Sequence, residues 1–127
     1  MIYVLDDLML ECSKSPDVVN AFVRSSHHKN LSLMVLTQIF FHPGLRPLSL
    51  NSHYIVLFKN PREATVVRCL GIQMMGQKSK WLEEAFKDAC SQPHRYLFFD
   101  LSQQQADDLR IRNDIFCDQG TKVYMRK

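Results

Sequence analysis

Glycine is scarce in this sequence: four residues in 127, at positions 44, 71, 76 and 120. None of them stands in a G-x-x-x-x-G-K-S/T string, so the chain carries no glycine-rich phosphate cradle of its own. Long apolar runs are missing too; none approaches the ~20 residues that span a bilayer. The opening MIYVLDD has no basic leader and reaches acids too early for a signal peptide. The four cysteines, Cys12, Cys69, Cys90 and Cys117, show no paired zinc-ligand spacing and are too sparse for a disulfide framework. They read as reduced thiols, which predicts a soluble, intracellular protein. Charge of neither sign dominates, with a formal net charge of +3. That balance tilts only slightly toward an acidic partner such as DNA. The tail containing Lys122, Arg126 and Lys127 reads as a solvated end.

What is present is the composition of one globular domain: 46% hydrophobic and 23% charged residues. Ile2 to Leu5 is a continuous apolar run ending on two acids, the signature of a strand covered on both faces in a parallel sheet. Ser15-Pro16-Asp17 opens a helix that places Val18, Val19, Phe22 and Val23 on one face and ends near His28–Asn30. Leu31 to Leu36 is a second buried-type strand, ending at Thr37-Gln38. A long loop runs from His42-Pro43-Gly44 to about Ser52. His53 to Phe58 is a third strand. Asn60-Pro61-Arg62-Glu63 then opens a helix with Ala64, Val67, Leu70 and Met74 on a common side. Ser79 caps a further helix, which Pro93 stops. Tyr96 to Phe99 is a fourth strand ending on Asp100, and Ser102-Gln103-Gln104-Gln105 carries the capping-box pattern of a short helix.

This alternation predicts an α/β domain with a mostly parallel sheet flanked by helices. In such sheets chemistry gathers at the carboxyl ends of the strands. The residues to examine are therefore Asp6, Asp7, Thr37, Gln38, Lys59, Asn60 and Asp100. Adjacent acids leaving a strand point to different sides. One can face a metal while the other faces the water that attacks a phosphate. The plainer reading of Asp6-Asp7 is a turn or a helix cap.

The blocks YVLDDLM, SSHHKNLSLMVLTQIFFHPG, SLNSHYIVLFKNPRE and PHRYLFFDL, in this order, resemble the packaging ATPases of large DNA viruses and Maverick/Polinton-type mobile elements. These belong to the FtsK–HerA branch of P-loop ATPases, and the resemblance covers roughly residues 2 to 117. It implies part of a RecA/FtsK-like core entered at the Walker B strand. Asp6 then matches the acid that places Mg²⁺, and Asp7 the catalytic acid, where the branch commonly has glutamate. Gln38 matches the sensor glutamine. Arg62 lies where such enzymes supply an arginine to a neighbouring subunit, with Arg110 and Arg112 as rivals.

By the same resemblance, residues 1–76 hold the Walker B and sensor part of the core, and residues 77–127 a helix–strand extension of the same domain. The implied cofactors are Mg²⁺ and ATP in a full-length protein. The implied partners are double-stranded DNA and further copies in a ring. A virion, a viral factory or a nucleus would be the setting. Since the phosphate loop is missing, the expectation is a truncated chain or a decayed relic that does not hydrolyse ATP alone. The rival readings are a metal-dependent nuclease site built from Asp6, Asp7 and Asp100, and a non-catalytic binding module.

Overall fold

The computed structural model describes residues 1–6, 15–22, 31–63, 65–76, 80–116, 118 and 120–126. It is a mixed α/β structure that divides into two compact units, Met1–Ser52 and His53–Lys127.

In the first unit, strand β1 (Ile2–Asp6) pairs in parallel with β2 (Ser32–Leu36). The ladder starts at the chain end, where Ser32 N–H donates to the Met1 carbonyl at 3.0 Å. Helix α1 (Pro16–Asn20) lies between the two strands in sequence, the crossover that parallel pairing demands. Ser15 holds the extended cap position but makes no side-chain capping bond. The expected end of this helix, and Val23, lie outside the described residues.

The segment expected to be a loop after His42 is helical: a 3₁₀ turn at Pro43–Leu45 runs into α2 (Arg46–Asn51). Two prolines suit this, because each falls in a first turn, where no N–H is needed. The His42 imidazole accepts from Gly44 N–H at 3.2 Å. At the far end Asn51 and Ser52 donate to the Pro47 and Leu48 carbonyls, both at 2.7 Å. The reason to fold is apolar: Leu45 and Leu48 are buried among Leu5, Val18, Val19, Phe22 and Val35. Cover on both faces of these strands, expected from their apolar runs, is not found among the described residues. Ile2, Val4, Met34 and Leu36 are 69%, 54%, 52% and 46% exposed.

In the second unit β3 (Tyr54–Phe58), β4 (Tyr96–Asp100) and β5 (Ile111–Asn113) form an antiparallel sheet in that order. A mostly parallel sheet is therefore not what forms, and the reason is topological. Between β3 and β4 the chain makes two helical passes, α3 (Val66–Met75) and α4 (Lys80–Ala89), which pack on each other. One pass returns the chain for a parallel strand; two passes deliver it running the other way.

The core lies under one sheet face. Ile55, Leu57, Leu97, Phe99 and Ile111 alternate inward to meet Val66, Val67 and Leu70 of α3 and Leu82, Ala85 and Ala89 of α4. Ala64 and Ser79 lie outside the described residues. The helix expected at Ser102–Gln105 is a turn, and a 3₁₀ turn follows at Asp107–Leu109. The Ser102 hydroxyl that would have capped a helix donates instead to Asp100 at 2.6 Å. β5 was not expected, since three half-polar residues carry no alternation. It is held by β4 and by the 122–124 segment, through Asn113 N–H to Lys122 O at 3.0 Å and Tyr124 N–H to Ile111 O at 2.8 Å.

Candidate functional site: the carboxyl edge of the parallel strands

Asp6 ends β1 and stands opposite Leu36, which ends β2. Thr37 and Gln38 therefore leave the sheet at the same edge as Asp6. Gln38 is only two residues past the Asp6–Leu36 pair, at most about 7 Å of chain. The Thr37 hydroxyl donates to the Ile39 carbonyl at 3.0 Å and accepts from Ile39 N–H at 3.3 Å. This local ring turns the backbone as soon as the strand stops. Asp6 and Gln38 are both exposed. Asp7 lies outside the described residues.

One exposed carboxylate is no metal cage, and no group of three or more His, Cys, Asp or Glu residues placed to hold a metal occurs among the described residues. Mg²⁺ makes a smaller demand. It keeps several waters and takes one or two carboxylates together with substrate phosphates. Asp6 fits that outer role, and the fit requires phosphates held by something other than this segment.

The three arginines fall into two groups. Arg62 is exposed in a 3₁₀ turn, Pro61–Glu63, just after β3. Its N–H donates to Asn60 Oδ1 at 3.0 Å, fixing the turn from the backbone. Arg110 and Arg112 are committed inside the second unit. Arg110 Nη1 donates to the Asp100 and Ser102 carbonyls at 3.1 and 2.8 Å, and its Nε pairs with Asp107 at 2.8 Å. Arg112 pairs with Asp100 at 2.8 Å and lies over the Phe98 ring, 5.3 Å from its centroid. These bonds leave Arg62 as the arginine presented outward.

Asp100 is buried at 6% exposure. Burial alone would raise its pKa. The hydroxyl and N–H of Ser102, with the charge of Arg112, override that and hold it below the ordinary carboxylate value. Both carboxylate oxygens are occupied by these partners, Oδ1 by Ser102 and Oδ2 by Arg112. Asp100 is thus a keystone of the β4–β5 corner, and a second metal would have to displace an arginine to reach it.

Pattern reading passed over one group of residues. Lys59, His94 and Arg95 line a common cleft at the end of the β3–β4 ladder. The signal was present in part, since Lys59 ends a strand. His94 and Arg95 follow a helix stop, and nothing local reveals that the β3–β4 register brings them to Lys59.

Compared with known proteins, the chain matches no family model, no curated protein and no solved structure. No helix among the described residues is long and apolar enough to cross a membrane.

Proposed function

We propose that this chain is the Walker B and sensor part of a P-loop ATPase of the FtsK–HerA, DNA-packaging type, acting as a ring that moves double-stranded DNA. The observation that carries the proposal is the parallel β1–β2 pairing, with Asp6 and Gln38 leaving at one carboxyl edge. An acid and an amide on neighbouring parallel strands are what phosphoryl transfer uses to place a metal-bound water and to sense the terminal phosphate. The ordered sequence blocks supply the rest. In this reading the first unit is a piece of a RecA/FtsK-like core. The antiparallel second unit, which departs from the mostly parallel sheet, is an addition to it.

Bound Mg²⁺ supplies Lewis acidity for breaking the terminal phosphoanhydride. The chain's own residues supply orientation and proton handling. Asp6 would hold Mg²⁺ through water, Asp7 would take the proton of the attacking water, and Gln38 would hold that water or the phosphate in line. Arg62 serves a neighbouring subunit's nucleotide. The nuclease reading loses its third ligand, because Asp100 is occupied by Arg112 and Ser102.

The test is ATP hydrolysis by a longer polypeptide that continues upstream of Met1 and includes a phosphate loop, with the 127-residue chain as the inactive control. Asp6→Ala abolishes turnover. Asp7→Asn keeps nucleotide binding and slows turnover by roughly 10²-fold or more. Full activity in both variants would overturn the proposal.

A further inference from the structure

The β3–β4 register pairs Phe58 with Tyr96, so the next opposed positions are Lys59 and Arg95. The turn from α4 into β4 closes over this end of the ladder. Between them is a cleft of about 390 Å³ lined by Phe58, Lys59, Ser91, Gln92, His94 and Arg95, among others. Like charges at opposed positions destabilise an antiparallel pair. Among the described residues Arg95 pairs with Asp114, and no ion pair is found for Lys59. Among the described residues no Asp or Glu lines the cleft. The nearby acid of α4, Asp88, is taken by Lys122 and Tyr124.

Two further observations bear on what the cleft is for. His94 has a backbone φ of 64°, a left-handed conformation uncommon for a residue with a Cβ. Such a geometry has a conformational cost that the surroundings must offset, and it recurs at ligand-holding turns. Cys90, also in the wall, is a poor nucleophile. Burial and the Asp114 carboxylate push its thiol pKa up, and its Sγ lies 3.9 Å from the Leu57 carbonyl. The thiol in this wall is therefore unsuited to nucleophilic chemistry. Its volume falls in the range of small-ligand pockets, about 300–1,000 Å³.

We infer that the Lys59–His94–Arg95 cleft is an oxyanion site for a phosphate ester, with the half-exposed Phe58 ring as the wall against which the attached sugar or base rests. Lys59 supplies a mobile ammonium, and Ser91 and Gln92 offer neutral donors. The aromatic wall suits any base, since every base has a π-face. The ester comes either from a free nucleotide or from a nucleic-acid backbone. This inference stands on the second unit alone and does not depend on the ATPase reading.

Binding is measured on the 127-residue chain with three probes: inorganic phosphate, adenosine monophosphate and a short duplex DNA. Backbone amide shifts of residues 91–95 report the cleft directly, and anisotropy reports the DNA. At least one probe should shift these amides. Lys59→Ala and His94→Ala should each weaken that probe roughly tenfold, the loss of one charge-assisted hydrogen bond. Lys80→Ala, an exposed lysine at the start of α4, should leave it unchanged. The mononucleotide as strongest probe assigns the site to free nucleotides, and the duplex as strongest probe assigns it to backbone. Unmoved amides with all three probes, or equal losses in Lys59→Ala and Lys80→Ala, would overturn the inference. Thermal melts of each variant separate lost binding from lost folding.

Discussion

The guanidinium of Arg112 donates to the Asp100 carboxylate at 2.8 Å while covering the Phe98 ring at 5.3 Å. One side chain thus neutralises a buried acid and caps an aromatic on the sheet's open face. Removing it leaves Asp100 with Ser102 alone. Arg112→Ala is expected to cost about 1–3 kcal/mol, since the acid keeps part of its hydrogen bonding. Urea unfolding of the second unit measures this. Arg112→Lys should recover only part of the loss, because an ammonium lacks the planar fork that serves carboxylate and ring together.

Acid should unfold the second unit through the same residue. Asp100 has its pKa lowered in the folded chain by Ser102 and Arg112. Its contribution is therefore fully present above the unfolded carboxylate pKa, about 3.9, and is lost as pH falls through the lower folded value. Asp88, lowered by Lys122 and Tyr124, acts in the same direction. Melting temperature followed from pH 7 down to pH 2 should fall most steeply below about pH 4. Asp100→Asn should start less stable at neutral pH and show a shallower acid limb. A limb as steep as that of the unmutated chain would assign acid sensitivity to other carboxylates.

Core and surface leucines should separate cleanly. Leu82 on α4 is 0% exposed and Leu50 on α2 is 63% exposed. Leu82→Ala should cost about 2–5 kcal/mol, the transfer term plus a cavity. Leu50→Ala should stay within about 0.5 kcal/mol. Chemical denaturation of both variants checks the pair.

Strand β3 should drive self-association. Among the described residues it pairs only with β4, and Tyr54, Val56 and Phe58 on its outer face are 59%, 45% and 57% exposed. Tyr54 and Phe58 stack or lean on Phe98 and Tyr96 at 5.7 and 5.5 Å, which extends an aromatic surface beside an open edge. Val56→Glu should lower concentration-dependent light scattering while leaving the melting temperature nearly unchanged. Unaltered scattering would place the association elsewhere.

The clasp of the tail should be local and weak. Lys122 and Tyr124 hold Asp88 at 2.5 and 2.6 Å, but both members of the ion pair are more than half exposed. Asp88→Ala should cost under about 1 kcal/mol. It should speed hydrogen exchange at Lys122 and Tyr124, whose N–H groups bond to Asn113 and Ile111. Slow exchange retained in the variant would show that backbone pairing alone holds the tail.

The sequence alone determined the positions of four strands, of α4 and of most of α3, which starts at Val66 where an opening at Asn60–Glu63 was expected, and the parallel pairing of β1 with β2. Apolar runs, proline and a single crossover helix act within a few residues of chain, so pattern reading reaches them. It also picked out Asp6 and Gln38, since strand ends are visible where apolar runs stop. It named Asp100 as a strand-end acid without revealing its duty, because the partners Ser102 and Arg112 arrive only when β5 folds back. The helix at Arg46–Asn51 was hidden by its own Pro47 and by Pro43 in the 3₁₀ turn before it, whose tolerance depends on lying in first turns. The reversal of β4 was written in the count of helical passes, but it becomes a fact only when α3 and α4 pack together and bury Leu70 and Leu82. The cleft of Lys59, His94 and Arg95 belongs wholly to the tertiary structure. It joins residues 35 and 36 positions apart through a register that sequence pattern does not encode.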